Sequence, residues 1–91
     1  MAAIVKRPGA FIETDVDDEI VIVGLDEGRF YSLEGTGRAV WRLIDGTRDR
    51  AALLALLQRD FDAPHDILAA DLDAFLSEVA SAGFIEPLVR P

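Results

Sequence analysis

Between Glu19 and Trp41 the spacing of apolar residues changes once, and that change limits what the chain can become. Glu19 to Leu25 (EIVIVGL) and Phe30 to Leu33 (FYSL) read as β-strands. Asp26-Glu27-Gly28-Arg29 between them is a short, polar, glycine-bearing loop that folds the two into a hairpin. Beyond Gly35-Thr36-Gly37 the period lengthens to about 3.6 residues and stays helical almost to the C-terminus. A β-hairpin followed by helices is the expected framework, and it decides which functions are open.

The remaining elements build outward from this junction. Ala10 to Thr14 adds a short first strand, with Asp15 to Asp18 as the connection, giving a three-stranded antiparallel meander. Phe30 and Ser32 fall on one face of the last strand and Tyr31 and Leu33 on the other, which predicts cover on more than one side. The first helix is expected from Thr36, whose hydroxyl can cap free N–H groups, to Asp45-Gly46, burying Val40, Trp41, Leu43 and Ile44. Thr47 is the expected cap of a second helix running from Arg48 to Asp60, with Leu53, Leu54, Leu56 and Leu57 inward. A third helix is expected from Asp66 to Ala82, stopped by Gly83. Leu68, Leu72, Phe75, Leu76 and Val79 form its core face, and Ile67, Asp71, Ala74 and Glu78 form a mixed stripe beside it. Phe84-Ile85 close the core, and Leu88 to Pro91 receive no assignment. The fold class expected is α+β, winged-helix-like, with residues 1–91 as a single domain.

Charge removes the usual role of that layout. The chain carries 17 acidic against 9 basic side chains, a net charge of -8, so its mean field repels nucleic acid and anionic lipid. The third helix, which reads DNA in winged-helix proteins, has Asp66, Asp71, Asp73 and Glu78 and no Lys or Arg. It cannot supply the phosphate contacts that dominate such binding. The longest purely apolar run, Ile20 to Val23, is far short of a membrane span, and Met1 to Gly9 lacks the hydrophobic core of a secretory signal. A cytoplasmic protein without nucleic-acid or membrane partners is the expectation.

Catalytic and metal chemistry find no constellation. The absence of cysteine removes thiolate zinc sites and thiol nucleophiles together. Glu13, Asp15, Asp17, Asp18 and Glu19 invite a calcium reading, but counting from Asp15 puts Ile20 where an EF-hand loop needs glycine. Gly35-Thr36-Gly37 has Val40 in place of the third glycine of a dinucleotide loop, so turn and cap chemistry explains it better. His65 is the only histidine and has no second ligand or nucleophile to work with. Trp41 is expected to anchor the core. No catalytic residue, metal ligand or cofactor is assigned, and an enzyme is not expected.

What this layout can do is bind an extended peptide. An edge strand offers unpaired N–H and C=O groups to an incoming segment while a neighbouring helix supplies side-chain pockets. The sequence resembles the PqqD-like family, the recognition-element or peptide-chaperone domains of ribosomal peptide biosynthesis, including the stand-alone proteins of lasso-peptide pathways. The likeness covers Ile20 to Ile85. It rests on Leu25-Asp26-x-Gly28-x-Phe30-Tyr31-x-Leu33, Thr36-x-x-x-x-Trp41-x-Leu43-Ile44-x-Gly46-Thr47, Leu56, Phe61, Asp71-Leu72-x-x-Phe75-Leu76 and Gly83-Phe84-Ile85. Glu34 departs from the Asn common in lasso-type members. The resemblance implies non-catalytic capture of a precursor's leader segment as an added strand, and its delivery to a modifying enzyme such as a leader peptidase, cyclase or radical SAM enzyme. It places Phe30, Tyr31, Ser32 and Leu33 on the strand side and Asp71 on the helix. The helical wheel adds Ile67, Ala74 and Glu78. Expected partners are the leader peptide and a modifying enzyme of the same pathway, with the protein itself a monomer or homodimer. The alternative is an acidic winged-helix module for protein interaction or transcription, which would ignore leader peptides.

Overall fold

The alternation of Ile20 and Ile22 with Val21 and Val23 sorts one strand into a wet and a dry face. In the computed structural model, which describes residues 3–26 and 28–87, that strand is the middle of a three-stranded antiparallel sheet. The strands are β1 (Phe11–Val16), β2 (Glu19–Gly24) and β3 (Phe30–Leu33), in spatial order β1-β2-β3. Three helices follow: α1 (Gly35–Leu43), α2 (Arg50–Asp60) and α3 (His65–Ser81). The expected class, a small antiparallel sheet followed by three helices, is the architecture found. Glu27 of the expected hairpin loop and the tail from Leu88 lie outside the described residues.

One face of the sheet is covered and the other is not. Phe11, Ile20, Ile22 and Leu33 point inward and are buried, Ile22 completely, while Ile12 and Phe30 on the opposite face are 57% and 73% exposed. The expected cover on more than one side is therefore corrected: the short links between the helices keep all three stacked on the inner face. The first strand is also longer than expected. Asp15 and Val16 belong to β1, because Asp17-Asp18 suffices as a two-residue turn, with Asp17 at φ 53°, a conformation Asp tolerates.

Trp41 lies at the centre, fully buried, with the Phe11 ring edge-on at 5.1 Å and the Lys6 ammonium 4.3 Å from its ring centroid. Burial holds the Lys6 pKa below its ordinary value, against an opposing pull from Glu13. Around Trp41 pack Leu53 and Leu57 of α2 and all five expected core residues of α3, Leu68, Leu72, Phe75, Leu76 and Val79. Leu43 and Leu56 are only half-buried.

The helix caps differ from expectation in two places. Thr36 lies inside α1, whose N-cap is Glu34, without a side-chain cap bond. Thr47 does not cap α2: its hydroxyl and N–H both donate to Asp45 Oδ1, at 2.7 and 2.9 Å, and the cap is Asp49, which accepts from the Ala52 N–H at 2.9 Å. Two residues closer to the helix, Asp49 can reach the third N–H of α2, which Thr47 cannot. Gly83 ends α3 as expected, at φ 82°, with Phe84 N–H donating to the Val79 carbonyl and Gly83 N–H to that of Ala80. That turn drives Phe84 and Ile85 back into the core, 2% and 1% exposed. The chain start is tied to the same place, through Arg7 N–H to the Phe84 carbonyl and Glu86 N–H to that of Val5.

Candidate functional site

The pairing phase of the sheet decides which backbone groups of β3 are free. Strand partners in an antiparallel ladder alternate between pairs that exchange hydrogen bonds and pairs that do not. Gly24 N–H donates to the Arg29 carbonyl at 2.7 Å, and the register pairs Ile22 with Tyr31 and Ile20 with Leu33. Counting along from Gly24 and Arg29, Tyr31 and Leu33 spend their backbone groups on β2. The N–H and C=O of Phe30 and Ser32 turn away from it, toward the open edge.

Side chains divide the same four residues the same way. Leu33 is buried, and Tyr31 is half-buried with its ring edge-on to Phe84 at 5.3 Å. Phe30 and Ser32 stand on the outer face, where Ser32 Oγ donates to Glu19 Oε1 at 3.0 Å. The expected strand residues thus split into two that hold the strand in place and two that present its edge.

On the helix, Ile67, Asp71, Ala74 and Glu78 are all exposed, with Ile67 at 54%. Asp73, on the opposite flank, is taken by Arg50 of α2 in a two-pronged pair at 2.6 and 2.9 Å, which raises the Arg50 pKa. Phe75 lies next to Gly37 at the start of α1, within 3.5 Å of where a side chain there would begin. These two contacts orient α3: the Asp73 flank faces α2, and the flank with Asp71 and Glu78 faces away from it. No hydrogen bond, ion pair or ring contact among the described residues joins β3 to those four helix positions.

Where β3 begins and α3 ends, the two elements border a common cavity of about 270 Å³. Arg29 and Tyr31 line it from the strand, and Ser81, Ala82, Gly83 and Phe84 from the helix end. Sequence reasoning missed Arg29, Ser81 and Ala82 because they come from two chain segments, remote in sequence, that share no periodicity. The available signal was glycine: Gly24 lies so close to Phe84 that a Cβ there would sit 3.3 Å from its ring. His65 is exposed and contacts Gln58 at 2.6 Å, and Asp15 to Glu19 divide between a strand, a turn and the next strand.

Two solved structures share this architecture. A chain from TbiB1 in complex with the TbiA(β) leader peptide superposes with a TM-score of 0.78 at 21% identity, over 89% of this chain and 94% of that one. A chain from lasso peptide synthetase B1 complexed with the leader peptide gives a TM-score of 0.78 at 21% identity, over 94% of this chain and 100% of that one. At this identity the likeness is one of fold. No curated protein matches the chain in sequence. The family model for coenzyme PQQ synthesis protein D (PqqD) matches residues 19–85, which take in the sheet from β2 onward, all three helices and the closing Phe84-Ile85. With more than half of its length in that match, the chain belongs to the PqqD family.

Proposed function

We propose that residues 1–91 act as one peptide-binding domain that captures the leader segment of a ribosomally made precursor peptide and presents it to a modifying enzyme, without catalysing a reaction itself. The observation that carries this reading is the β3 edge. It presents the backbone of Phe30 and Ser32, has no side chain charged at neutral pH from Phe30 to Leu33, and begins beside a cavity shared with the end of α3. The same fold occurs in chains solved with leader peptides, which supports a peptide as the fourth strand. The cytoplasm, where precursors are made, is the compartment this role implies.

Magnitudes show how the work divides. Phe30 and Ser32 offer four backbone hydrogen bonds, each worth about 1 kcal/mol net. Ordering each leader residue costs about 1–2 kcal/mol of backbone entropy. The ladder alone therefore falls short, and burial of leader side chains must supply the surplus. On this reading the Arg29–Tyr31 cavity and the Ile67, Asp71, Ala74 and Glu78 flank select the sequence, while the strand edge sets its register. A fluorescence-polarisation titration with leader peptides encoded beside the gene, and scrambled controls, tests the reading. Saturable binding of the native-order leader alone is expected; equal binding of scrambled peptides, or none, would remove it in favour of an interaction module for folded partners.

A further inference from the structure

The outer face of the sheet carries an exposed apolar row, beside the hydrogen-bonded Ser32 and Glu19. Ile12, Val23 and Phe30 form one row registered across all three strands, with Val21 in the next row and Val16 at the end of β1. Ile12, Val16 and Phe30 are 57%, 44% and 73% exposed, and Val21 and Val23 are half-buried. Isolated apolar residues on a surface are ordinary, but a registered row of them on one sheet face marks an interaction surface.

Charge and position say what fits there. From Phe11 to Leu33 seven carboxylates stand against the single cation Arg29. Asp17, Asp18 and Glu19 lie at one strand end of this face and Asp26 at the other. Two copies stacked through this face would bring those carboxylates together, so self-association is disfavoured. A partner with an apolar centre and a Lys/Arg rim is complementary. Phe30 also ends the row at the strand edge where a captured leader would add, so alternate leader side chains would extend the same row. We infer that the Ile12–Val23–Phe30 face is the docking surface for the modifying enzyme, a basic-rimmed partner that contacts the sheet and the captured strand together. This rests on the leader-binding reading for its partner, though not for the surface itself.

Ile12→Lys and Val16→Lys, both on β1 and away from the β3 edge, test it. Each is compared with native protein by thermal melting, by leader titration, and by calorimetric titration against the purified modifying enzyme encoded beside the gene. Native-like melting and leader affinity are expected, with enzyme affinity reduced by about tenfold or more. Enzyme affinity of the native protein should also fall as salt is raised. Native enzyme affinity in both folded variants would overturn the inference, as would a native self-association that the variants abolish. Should no leader bind while enzyme affinity still depends on Ile12 and Val16, the leader reading fails and the docking face stands.

Discussion

β1 and β3 both end the sheet, yet their free edges differ in the chemistry they present. The pairing of Ala10 with Leu25, through the Leu25 N–H at 3.0 Å, sets the phase of β1. Counting on, the backbone groups of Phe11, Glu13 and Asp15 face away from β2. Two of those three residues are acidic, so an incoming strand, including β1 of another copy, meets carboxylates along the edge. β3 is shorter, four residues against six, and presents its free backbone at Phe30 and Ser32, neither of them charged. One edge is guarded and the other is left open. An open edge costs a small domain some risk of aggregation, so leaving only β3 open points to a use for it.

Proline makes the sharpest test of this contrast, since it deletes one N–H at a chosen position. Tyr31→Pro removes an N–H directed at β2 and the ring that packs on Phe84. A loss of about 3–5 kcal/mol is expected, enough to unfold much of a marginally stable chain, and loss of the cooperative melt would show it. Ser32→Pro removes an outward N–H and the exposed bond to Glu19, about 1 kcal/mol, and restricts Tyr31 only to the extended geometry it already has. It should melt cooperatively within a few degrees of native and lose about tenfold or more in leader affinity. Native affinity in folded Ser32→Pro would mean that the leader does not pair with this edge.

The period change from strand to helix made the order of elements legible, because α1 to α3 each carry a stripe of buried residues that sequence alone can count. The five core residues of α3 and the stop at Gly83 were visible for that reason. What stayed hidden depends on distances between segments remote in sequence. Which face of the sheet was open could not be read from β3, where Phe30 and Tyr31 are both aromatic and only the packing of Phe84 chooses between them. The cap at Asp49 was masked by Thr47, an equally good capping residue two positions earlier, whose hydroxyl is engaged by Asp45 instead. The segment from Ile4 to Arg7 has too few apolar residues to announce that it pairs with Phe84 to Glu86.

The guard on β1 can be removed as well. Glu13→Thr with Asp15→Thr leaves two good strand formers on an edge whose free backbone is then uncharged. Concentration-dependent self-association by sedimentation is expected in the double variant and not in native protein, with leader affinity unchanged within about twofold. A double variant as monomeric as native would show that the two carboxylates do not protect the edge. Leader affinity that falls with theirs would mean that β1, and not β3, receives the peptide.

The smallest effect belongs to the helix flank that accompanies the open edge. Asp71 and Glu78 have no ion-pair partner among the described residues, while Asp73 on the other flank is held by Arg50. If the leader lies between β3 and α3, a cation on its helix-facing side meets two uncommitted carboxylates. Because both are exposed, each contact is worth at most about 1 kcal/mol, roughly a fivefold change in affinity. Leader variants carrying Lys or Glu at successive positions, titrated at low salt, should locate a position where Lys is preferred. That preference should reverse in Asp71→Lys with Glu78→Lys, and shrink in about 0.5 M salt, where screening acts within about 4 Å. Asp73→Lys should lower the melting temperature slightly by unpairing Arg50 and leave the preference in place. A reversal caused by Asp73→Lys instead would put the peptide on the α2 side of α3, away from β3, and the open edge would then need another explanation.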